Sequence, residues 1–406
     1  MFNFLLFLAF TGLIQAAPRE IISINTDSGL IPKLSSDFNK NNVSSQWAPG
    51  FPKEWGAEDF RLQFSEPDPE GTFSAAVSSD EKYLVMVNGT HVTFVDIDTK
   101  ATATTLGWEL PEGYMASDLT LRNVPQGGYD VLVNFIRRQY DTPVRSARIR
   151  LSADFERVGS QVTYTGGFGA ISKQGKYATL SGYIYELDNA SNSTVILDQT
   201  ITMYSVSFSS NGDKLSSVEW NAQTADIWNT TTGKRIYDIP PTKAQNWVTR
   251  ISPDGMYVAY GLGSGKNIVQ LWTLSNFTKS EITGFRNWPR HLEWSPDNKY
   301  LAVGDYGRVQ VWKLPEFKLV QTWMVENYDP IGVYENTGFA WLDGGKKFSF
   351  RYNLSSYLYD LEENTKWAVS PSTMDHTWGE ESLFYLKSKG MLATVNGDSR
   401  VRFWKV

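Results

Sequence analysis

Apolar and polar residues alternate with a period of two along most of the chain, which indicates β-strands. The strands come in groups, and each group begins with a tight polar turn followed by an apolar run. The turn Ser-Pro-Asp-Gly-Met-Tyr-Val-Ala at 252–259 reappears at 295–302 as Ser-Pro-Asp-Asn-Lys-Tyr-Leu-Ala, and weaker copies begin at Ser79, Ser172 and Ser209. Helical periodicity is scarcely visible, so the pattern predicts an all-β fold.

A second repeated element is an alternating strand that ends in an aromatic or large apolar residue. Its last positions are Val95, Ile149, Tyr185, Trp228, Trp272, Trp312, Tyr359 and Trp404. Successive positions are 36 to 54 residues apart, a spacing typical of the four-stranded blades of a β-propeller. We therefore predict a single propeller of eight blades, with seven blades as the alternative.

The two ends of the chain offer a way to close this ring. The chain stops two residues after Trp404, so the last unit has three strands of its own and lacks a fourth. The segment 59–64 reads as a strand and stands just before the first complete unit. We predict that it pairs with the last unit, so that N- and C-terminal segments close the ring and no sheet edge stays open there.

At this point the chain resembles the WD-repeat β-propellers over residues 58–406. The Ser-Pro-Asp-Gly turn before an apolar strand, and the Val-x-Val/Leu-Trp strand at Trp272 and Trp312, are typical of that family. Asp398, six residues before Trp404, matches the family's turn aspartate. The chain has no Gly-His dipeptide and no Asp after these tryptophans, so the family's Asp–His–Ser–Trp hydrogen-bond chain is not carried over.

The first residues predict export. Phe4 to Ile14 is an apolar run with the length of a signal-peptide core, too short to span a bilayer; a buried N-terminal strand or helix is the alternative. We predict a signal peptide over 1–16, a lead-in segment over 17–57 that is mobile or draped over the ring, and the propeller over 58–406. The predicted localisation is secreted, without a membrane span. The chain has no cysteine and therefore no disulfide.

Sequons for N-glycosylation support the prediction of export. Seven Asn-x-Ser/Thr motifs occur, at Asn42, Asn88, Asn189, Asn192, Asn229, Asn276 and Asn353. In a propeller, the fourth-to-first and second-to-third strand connections share one face, the top, and the other connections share the bottom. Four of the sequons, at Asn189, Asn192, Asn229 and Asn276, fall in third-to-fourth connections, and glycans there would cover one sector of the bottom face.

The net charge and the types of reactive side chain restrict the possible functions. The net charge is −6 with both signs interspersed, which argues against a nucleic-acid partner. His91, His291 and His376 are not paired at ligand spacing and there is no cysteine, so we predict no metal and no cofactor. The glycine-rich segment 261–266 lacks the spacing of a phosphate-binding loop, and no two carboxylates stand out as an acid–base pair.

Large aromatic and arginine residues are frequent in the connections of the predicted top face. The candidate binding residues are Trp108, Tyr114, Trp247, Arg286, Trp288, Arg290, Tyr328 and Trp378. They suit stacking on a sugar or anchoring a protein, although aromatic rings wedged between blades as core would give the same pattern. We predict a secreted, N-glycosylated, monomeric scaffold that binds a protein or a glycan through its top face.

An extracellular hydrolase or lactonase-like enzyme with acidic residues at the central channel is the main alternative, and we assign no catalytic residue. A quinone-dependent dehydrogenase, which also has eight blades, is a weaker alternative because the vicinal cysteines of many such enzymes are absent.

Overall fold

The fold is seen in a computed structural model of the full chain. The structure describes these residues: 34–36, 46–47, 58–63, 74–88, 91–109, 114–137, 145–188, 194–197, 203–219, 223–285, 287–305, 308–325, 338–352, 355–369, 383–396 and 400–406. Within them the chain is almost entirely β-strand, and the one helical element is a 3₁₀ turn over Asp343–Gly345. The prediction of an all-β fold is therefore confirmed.

Three short strands precede the repeats: β1 (Leu34–Ser36), β2 (Gln46–Trp47) and β3 (Glu58–Gln63). Blade 1 consists of β4 (Ser74–Val77), β5 (Tyr83–Asn88), β6 (His91–Asp96) and β7 (Thr102–Gly107). Blade 2 consists of β8 (Tyr114–Asn123), β9 (Tyr129–Arg137), β10 (Arg145–Leu151) and β11 (Val162–Thr165). Blade 3 consists of β12 (Phe168–Ile171), β13 (Lys176–Thr179), β14 (Tyr183–Glu186) and β15 (Thr194–Ile196). Blade 4 consists of β16 (Ser205–Phe208), β17 (Lys214–Val218), β18 (Ala225–Asn229) and β19 (Arg235–Asp238).

The remaining four blades follow in chain order. Blade 5 consists of β20 (Asn246–Ile251), β21 (Tyr257–Leu262), β22 (Ile268–Thr273) and β23 (Thr278–Ile282). Blade 6 consists of β24 (His291–Trp294), β25 (Tyr300–Asp305), β26 (Arg308–Lys313) and β27 (Lys318–Val325). Blade 7 consists of β28 (Phe339–Leu342), β29 (Lys347–Tyr352), β30 (Ser355–Asp360) and β31 (Thr365–Val369). Blade 8 contains β32 (Leu383–Leu386), β33 (Met391–Asn396) and β34 (Arg400–Lys405).

These strands build eight antiparallel sheets arranged in a ring. First strands of neighbouring blades contact each other, as β4 does with β8, β16 with β20 and β28 with β32, so they lie innermost. The last blade packs on the first through a shared buried cluster that includes Ala75, Leu84, Val401 and Phe403. The prediction of eight blades is confirmed, and the alternative of seven is wrong.

Strands of the N-terminal segment lie at the outer edges of three consecutive blades, as a fifth strand in blades 6 and 7 and as the fourth strand in blade 8. β1 lies antiparallel beside β27, with Ser35 opposite Met324, and β2 lies parallel beside β31. β3 lies antiparallel beside β34, with Leu62 opposite Val401, and is the fourth strand of blade 8. The prediction that this last pairing holds the ring closed stays a prediction, as do the domain boundaries.

The repeated Ser-Pro-Asp turn forms a fixed set of hydrogen bonds. The hydroxyl of Ser252 accepts a bond from the backbone N–H of Tyr257 at 2.9 Å and donates to Asp254 Oδ1 at 2.6 Å. Ser295 makes the same two bonds one blade later, with Tyr300 at 2.9 Å and with an aspartate at 2.7 Å. These turns join first and second strands, so their repetition places one such turn at the bottom of each of these blades.

Neighbouring blades are held together mainly by buried apolar side chains. Between blades 5 and 6 the cluster includes Val248, Leu271, Leu292, Leu301 and Val303, each no more than 2 % exposed. Their alternation along the strands follows from the period-two pattern of the sequence, because only every second side chain faces the next blade.

The contact between blades 2 and 3 is partly ionic. Asp130 is fully buried, and its carboxylate accepts bonds from Arg122 at 3.0 Å and from Arg150 at 2.7 Å. Asp188 of blade 3 completes the network by pairing with both arginines, and Arg148 donates to the backbone carbonyl of Leu187 at 2.9 Å. We call Arg122, Asp130, Arg148, Arg150 and Asp188 the ionic network.

Candidate functional site: the top face of blades 4 to 6

Aromatic residues meet on the top face where blades 4, 5 and 6 adjoin. Tyr204 directly precedes β16, Trp247 is the second residue of β20, and Arg290 directly precedes β24, with Trp288 two residues earlier. All four stand at the start of a first strand, so they belong to the fourth-to-first connections of the top. We call Tyr204, Trp247, Trp288 and Arg290 the aromatic cluster.

The rings of the aromatic cluster are in mutual contact. The ring centroids of Tyr204 and Trp247 lie 5.0 Å apart and nearly perpendicular, and those of Trp247 and Trp288 lie 5.1 Å apart at 30°. The guanidinium carbon of Arg290 lies 4.1 Å from the ring centroid of Trp247 and 5.5 Å from that of Trp288. A cation on an indole face is attracted by the ring quadrupole, so Arg290 is held over the two tryptophans.

The members of the cluster differ in how much surface they offer a partner. Trp247 is only 8 % exposed, whereas Tyr204 is 39 % exposed and Trp288 and Arg290 are half-buried. A Cβ atom on Gly263 would lie 2.5 Å from Cγ of Trp288 and 2.8 Å from Nε1 of Trp247, so this glycine lets the turn lie flat against both indoles. Trp247 is therefore a support, and the other three present the contact surface.

The backbone beside the cluster is in unusual conformations. Among the described top-face residues other than glycine, those with positive φ are Gln223 (57°), Lys243 (55°), Ser264 (48°) and Asn267 (49°). All four lie in connections of blades 4 and 5, whereas the other described non-glycine residues with positive φ lie in bottom turns. A left-handed conformation costs roughly 1 kcal/mol for such residues, so contacts with the rest of the fold must hold these loop positions in place.

Hydrogen bonds connect the three loops that carry these conformations. The hydroxyl of Thr242 donates within 3.0 Å to the backbone carbonyl of Gln223, and Nδ2 of Asn246 donates at 2.8 Å to that of Thr224. The ammonium of Lys266 donates to the carbonyl of Thr242. The loops therefore form one rigid rim beside the aromatic cluster, which reduces the entropy lost when a partner binds.

One carboxyl stands at this rim with altered acidity. Glu219 follows β17, is half-buried, and its backbone carbonyl accepts a bond from Asn246 at 3.4 Å. Burial raises the pKa of the Glu219 carboxyl, and a hydrogen bond with Thr224 opposes the shift. The other described carboxyls with a resolved shift have a lowered pKa.

The structure separates the predicted site residues into three groups. Trp247, Trp288 and Arg290 come together in the aromatic cluster. Trp108 is 8 % exposed and packs against Phe135 at 6.2 Å in the core shared by blades 1 and 2, where Tyr114 also packs. Trp108 is therefore a core residue, which is the alternative that the sequence left open, and the partly buried Tyr114 packs against the same core. Arg286, Tyr328 and Trp378 lie outside the described residues.

The sequons are also divided. Asn229 is the last residue of β18, Asn276 lies in the described turn that follows β22, and Asn88 is the last residue of β5. Asn42, Asn189, Asn192 and Asn353 lie outside the described residues.

Sequence reasoning missed Tyr204 and Glu219. Tyr204 falls in a fourth-to-first connection, so the rule that identified Trp247 would have found it. For Glu219 no such signal exists, since its burial depends on loops from two blades. In the described part of the chain, no group of three or more His, Cys, Asp or Glu side chains is placed to hold a metal ion.

Comparison with known families adds the decisive observation. The family model of the WD domain, G-beta repeat, matches residues 277–313. The match runs from β23 through β26, so it takes the last strand of blade 5 with three strands of blade 6. The chain is a WD-repeat-like β-propeller. The other blades of the propeller keep the architecture with more divergent sequences.

No curated protein matches the sequence of this chain. None of the helical structure in the described residues is long and apolar enough to cross a membrane.

Proposed function

We propose that this propeller is a secreted, N-glycosylated scaffold that binds a protein partner on the aromatic cluster of its top face. A WD-repeat-like propeller fits a protein-binding scaffold role, and propellers of this family typically bind proteins. The observation that carries the choice of surface is the exposed Tyr204 together with the half-buried Trp288 and Arg290, beside a rim of left-handed residues. Aromatic and arginine side chains in such a setting are the residue types that dominate binding energy.

Trp247 contributes to this surface indirectly. The guanidinium of Arg290 lies over the indole ring of Trp247, and the rings of Tyr204 and Trp247 form a T-shaped pair. Trp247 therefore holds both contact residues in place. A side chain that is already ordered loses less entropy on binding than a free one, by about 0.5–1.5 kcal/mol for each rotamer-rich side chain.

The experiment compares binding of the wild-type chain with Tyr204→Ala/Trp288→Ala in a capture screen against secreted proteins, with a glycan array in parallel. Met256→Ala is the matched control, because Met256 is also a large exposed side chain, 51 % exposed, but lies in a bottom turn of blade 5. We expect the double variant to weaken partner binding by about 30-fold or more, the effect of losing a hot-spot residue. Equal binding by the folded double variant and wild type would reject the surface.

Separate measurements test the class of the ligand and the secretion of the chain. Specific signal on the glycan array, lost in the double variant, would favour a sugar ligand over a protein. Recovery of the chain from the culture medium of a eukaryotic host, shortened at its N-terminus, is the expected result for secretion. A hydrolytic activity that Glu219→Gln lowers would favour the hydrolase alternative, and unchanged turnover in that variant would exclude Glu219 as its acid or base.

A further inference from the structure

We infer that N-glycans on Asn229 and Asn276 shield the outer edges of blades 4 and 5, in the way that the chain's own added strands cover the edges of blades 6 and 7. The inference rests on the secretion proposed above and does not depend on the top-face partner. It assigns a role to the lower circumference of the ring, away from the aromatic cluster.

The circumference of the propeller is covered unevenly. β1 and β2 pair with β27 and β31, the fourth strands of blades 6 and 7, so the backbone groups opposite them have hydrogen-bond partners, whereas β3 is itself the outermost strand of blade 8. In the described sheets of blades 4 and 5, β19 and β23 are the outermost strands. An outermost strand presents a row of unpaired N–H and C=O groups, on which another chain can add a strand.

The edge of blade 4 is the more vulnerable of the two. Ile236 of β19 is 40 % exposed, and the neighbouring Arg235 is turned inward to Asp226 at 3.0 Å, so it does little to charge the edge. By contrast β23 has exposed Lys279 and Glu281, paired at 2.9 Å, and exposed charges discourage strand addition.

A sequon stands at the turn that leads into each of these edges. The amide oxygen of Asn229 accepts bonds from the backbone N–H groups of Thr231 at 3.0 Å and Thr232 at 2.9 Å. The amide oxygen of Asn276 accepts one from Thr278 at 3.1 Å. Both turns use the oxygen of the amide and leave Nδ2, the atom that carries an N-glycan, without a partner among the described residues.

The corresponding turns of the covered blades have no sequon. The turn before β27 reads Leu-Pro-Glu-Phe at 314–317, and the turn before β31 reads Leu-Glu-Glu-Asn at 361–364, followed by Thr-Lys. In blades 4 to 7, therefore, each blade has either an added strand or a sequon at its outer edge, whereas the outermost strands of blades 1, 2 and 8, which are β7, β11 and β3, have neither in the described part of the chain. This complementary placement is what points to a shared purpose, protection of the edge.

The modification is the transfer of an oligosaccharide from a lipid-linked pyrophosphate donor. A bond forms between Nδ2 of the asparagine and the anomeric carbon of the sugar, while the bond from that carbon to the pyrophosphate oxygen breaks. The bonding electrons leave with the lipid pyrophosphate, and the proton lost by Nδ2 neutralises it or passes to solvent. No oxidant or reductant is involved.

The test uses the full chain secreted from a eukaryotic host. Thr231→Ala and Thr278→Ala destroy the sequons but keep both asparagines and their turn-forming amides. Thr90→Ala, which destroys the sequon of Asn88 in blade 1, is the matched control. Occupancy is measured by intact mass before and after enzymatic removal of N-glycans, and self-association by size exclusion and amyloid-dye binding after incubation.

We expect glycan mass on Asn229 and Asn276, and at least about a threefold rise in the self-associated fraction for Thr231→Ala, with a smaller rise for Thr278→Ala. Thr231→Ala/Ile236→Lys should return to the wild-type level, because a charge on the open edge replaces the glycan as protection. The unfolding midpoint should stay close to that of wild type in all four variants.

Three results would overturn the inference: no glycan on Asn229 in chain recovered from the medium, an unchanged associated fraction in Thr231→Ala, or an equal rise in Thr90→Ala. Partner binding is measured on the same samples and should be normal in Thr231→Ala. If no partner binds the aromatic cluster but Thr231→Ala still raises self-association, only the docking proposal is rejected. If the chain stays inside the cell, the glycan shield is rejected and the docking proposal is unaffected.

Discussion

The contact between blades 2 and 3 and the contact between blades 5 and 6 join neighbouring sheets with different chemistry. Blades 5 and 6 meet through an apolar cluster around Leu292, and the repeats there are the ones that match the WD family model in part. Blades 2 and 3 meet partly through the ionic network around the buried Asp130. The ring geometry therefore tolerates both solutions.

The two kinds of contact between blades differ in how their stability responds to mutation. Apolar packing loses stability in proportion to the atoms removed, since cavity and transfer terms scale with size. A buried ion network has a large desolvation cost. Removing one partner lowers the stability strongly, because the remaining charge is buried without compensation. The comparison teaches that divergent repeats keep their packing through polar contacts that no repeat motif records.

The largest effect should come from Asp130→Asn. This change leaves the buried Arg122 and the adjoining Arg150 without their shared carboxylate, and we expect the free energy of unfolding to fall by about 3–5 kcal/mol. Urea denaturation measures it, with Asp154→Asn, an exposed aspartate of the same blade, as a control near zero. A loss no larger than the control would show that the network is not a structural contact.

Leu292→Ala tests the apolar side of the comparison. Leu292 is fully buried, and its truncation should cost about 3 kcal/mol through lost burial and the remaining cavity. Leu292→Met keeps the volume and should cost less than about 1.5 kcal/mol. If both variants lost the same amount, packing volume would not explain the stability of this contact.

Acid should weaken the contact between blades 2 and 3 more than the contact between blades 5 and 6. Hydrogen bonds and charge from Arg122 lower the pKa of Asp188 below its usual value of 3.8, against the opposing effect of burial. The folded state therefore gains stability above the pKa of the unfolded chain and loses it as the pH falls through the lower folded pKa. Unfolding midpoints measured from pH 7 to below pH 3 should fall more gently in Asp188→Asn, and an identical slope would contradict the assignment.

Ser252→Ala is expected to have the smallest effect. It removes the hydroxyl that accepts from Tyr257 and donates to Asp254 in the bottom turn of blade 5, at a cost of about 1 kcal/mol. Ser295→Ala in blade 6 should cost the same, because its bonds are the same. A thermal-unfolding comparison that separated the two by several kcal/mol would show that the turns are not equivalent.

Much of the fold was predictable because its signals are local. Strand periodicity, the Ser-Pro-Asp turn and the terminal aromatic position depend on residues within one blade, and they yielded eight blades. The candidate site was only partly predictable: Trp247, Trp288 and Arg290 of the aromatic cluster were among the predicted residues, but Tyr204 and the neighbouring Glu219 were not. Trp108 occupies a similar place in the sequence and packs into the core, since its neighbour Phe135 comes from the next blade.

The amino-acid sequence by itself determined the strand class, the repeat and the number of blades, because hydrogen-bonded strands and tight turns are set by neighbours along the chain. Only the tertiary structure decided which aromatic rings meet, which tryptophan supports the others and which blade edges stay open. Those features depend on contacts between different blades, where side chains more than forty residues apart compete for the same space, and no local pattern encodes the outcome.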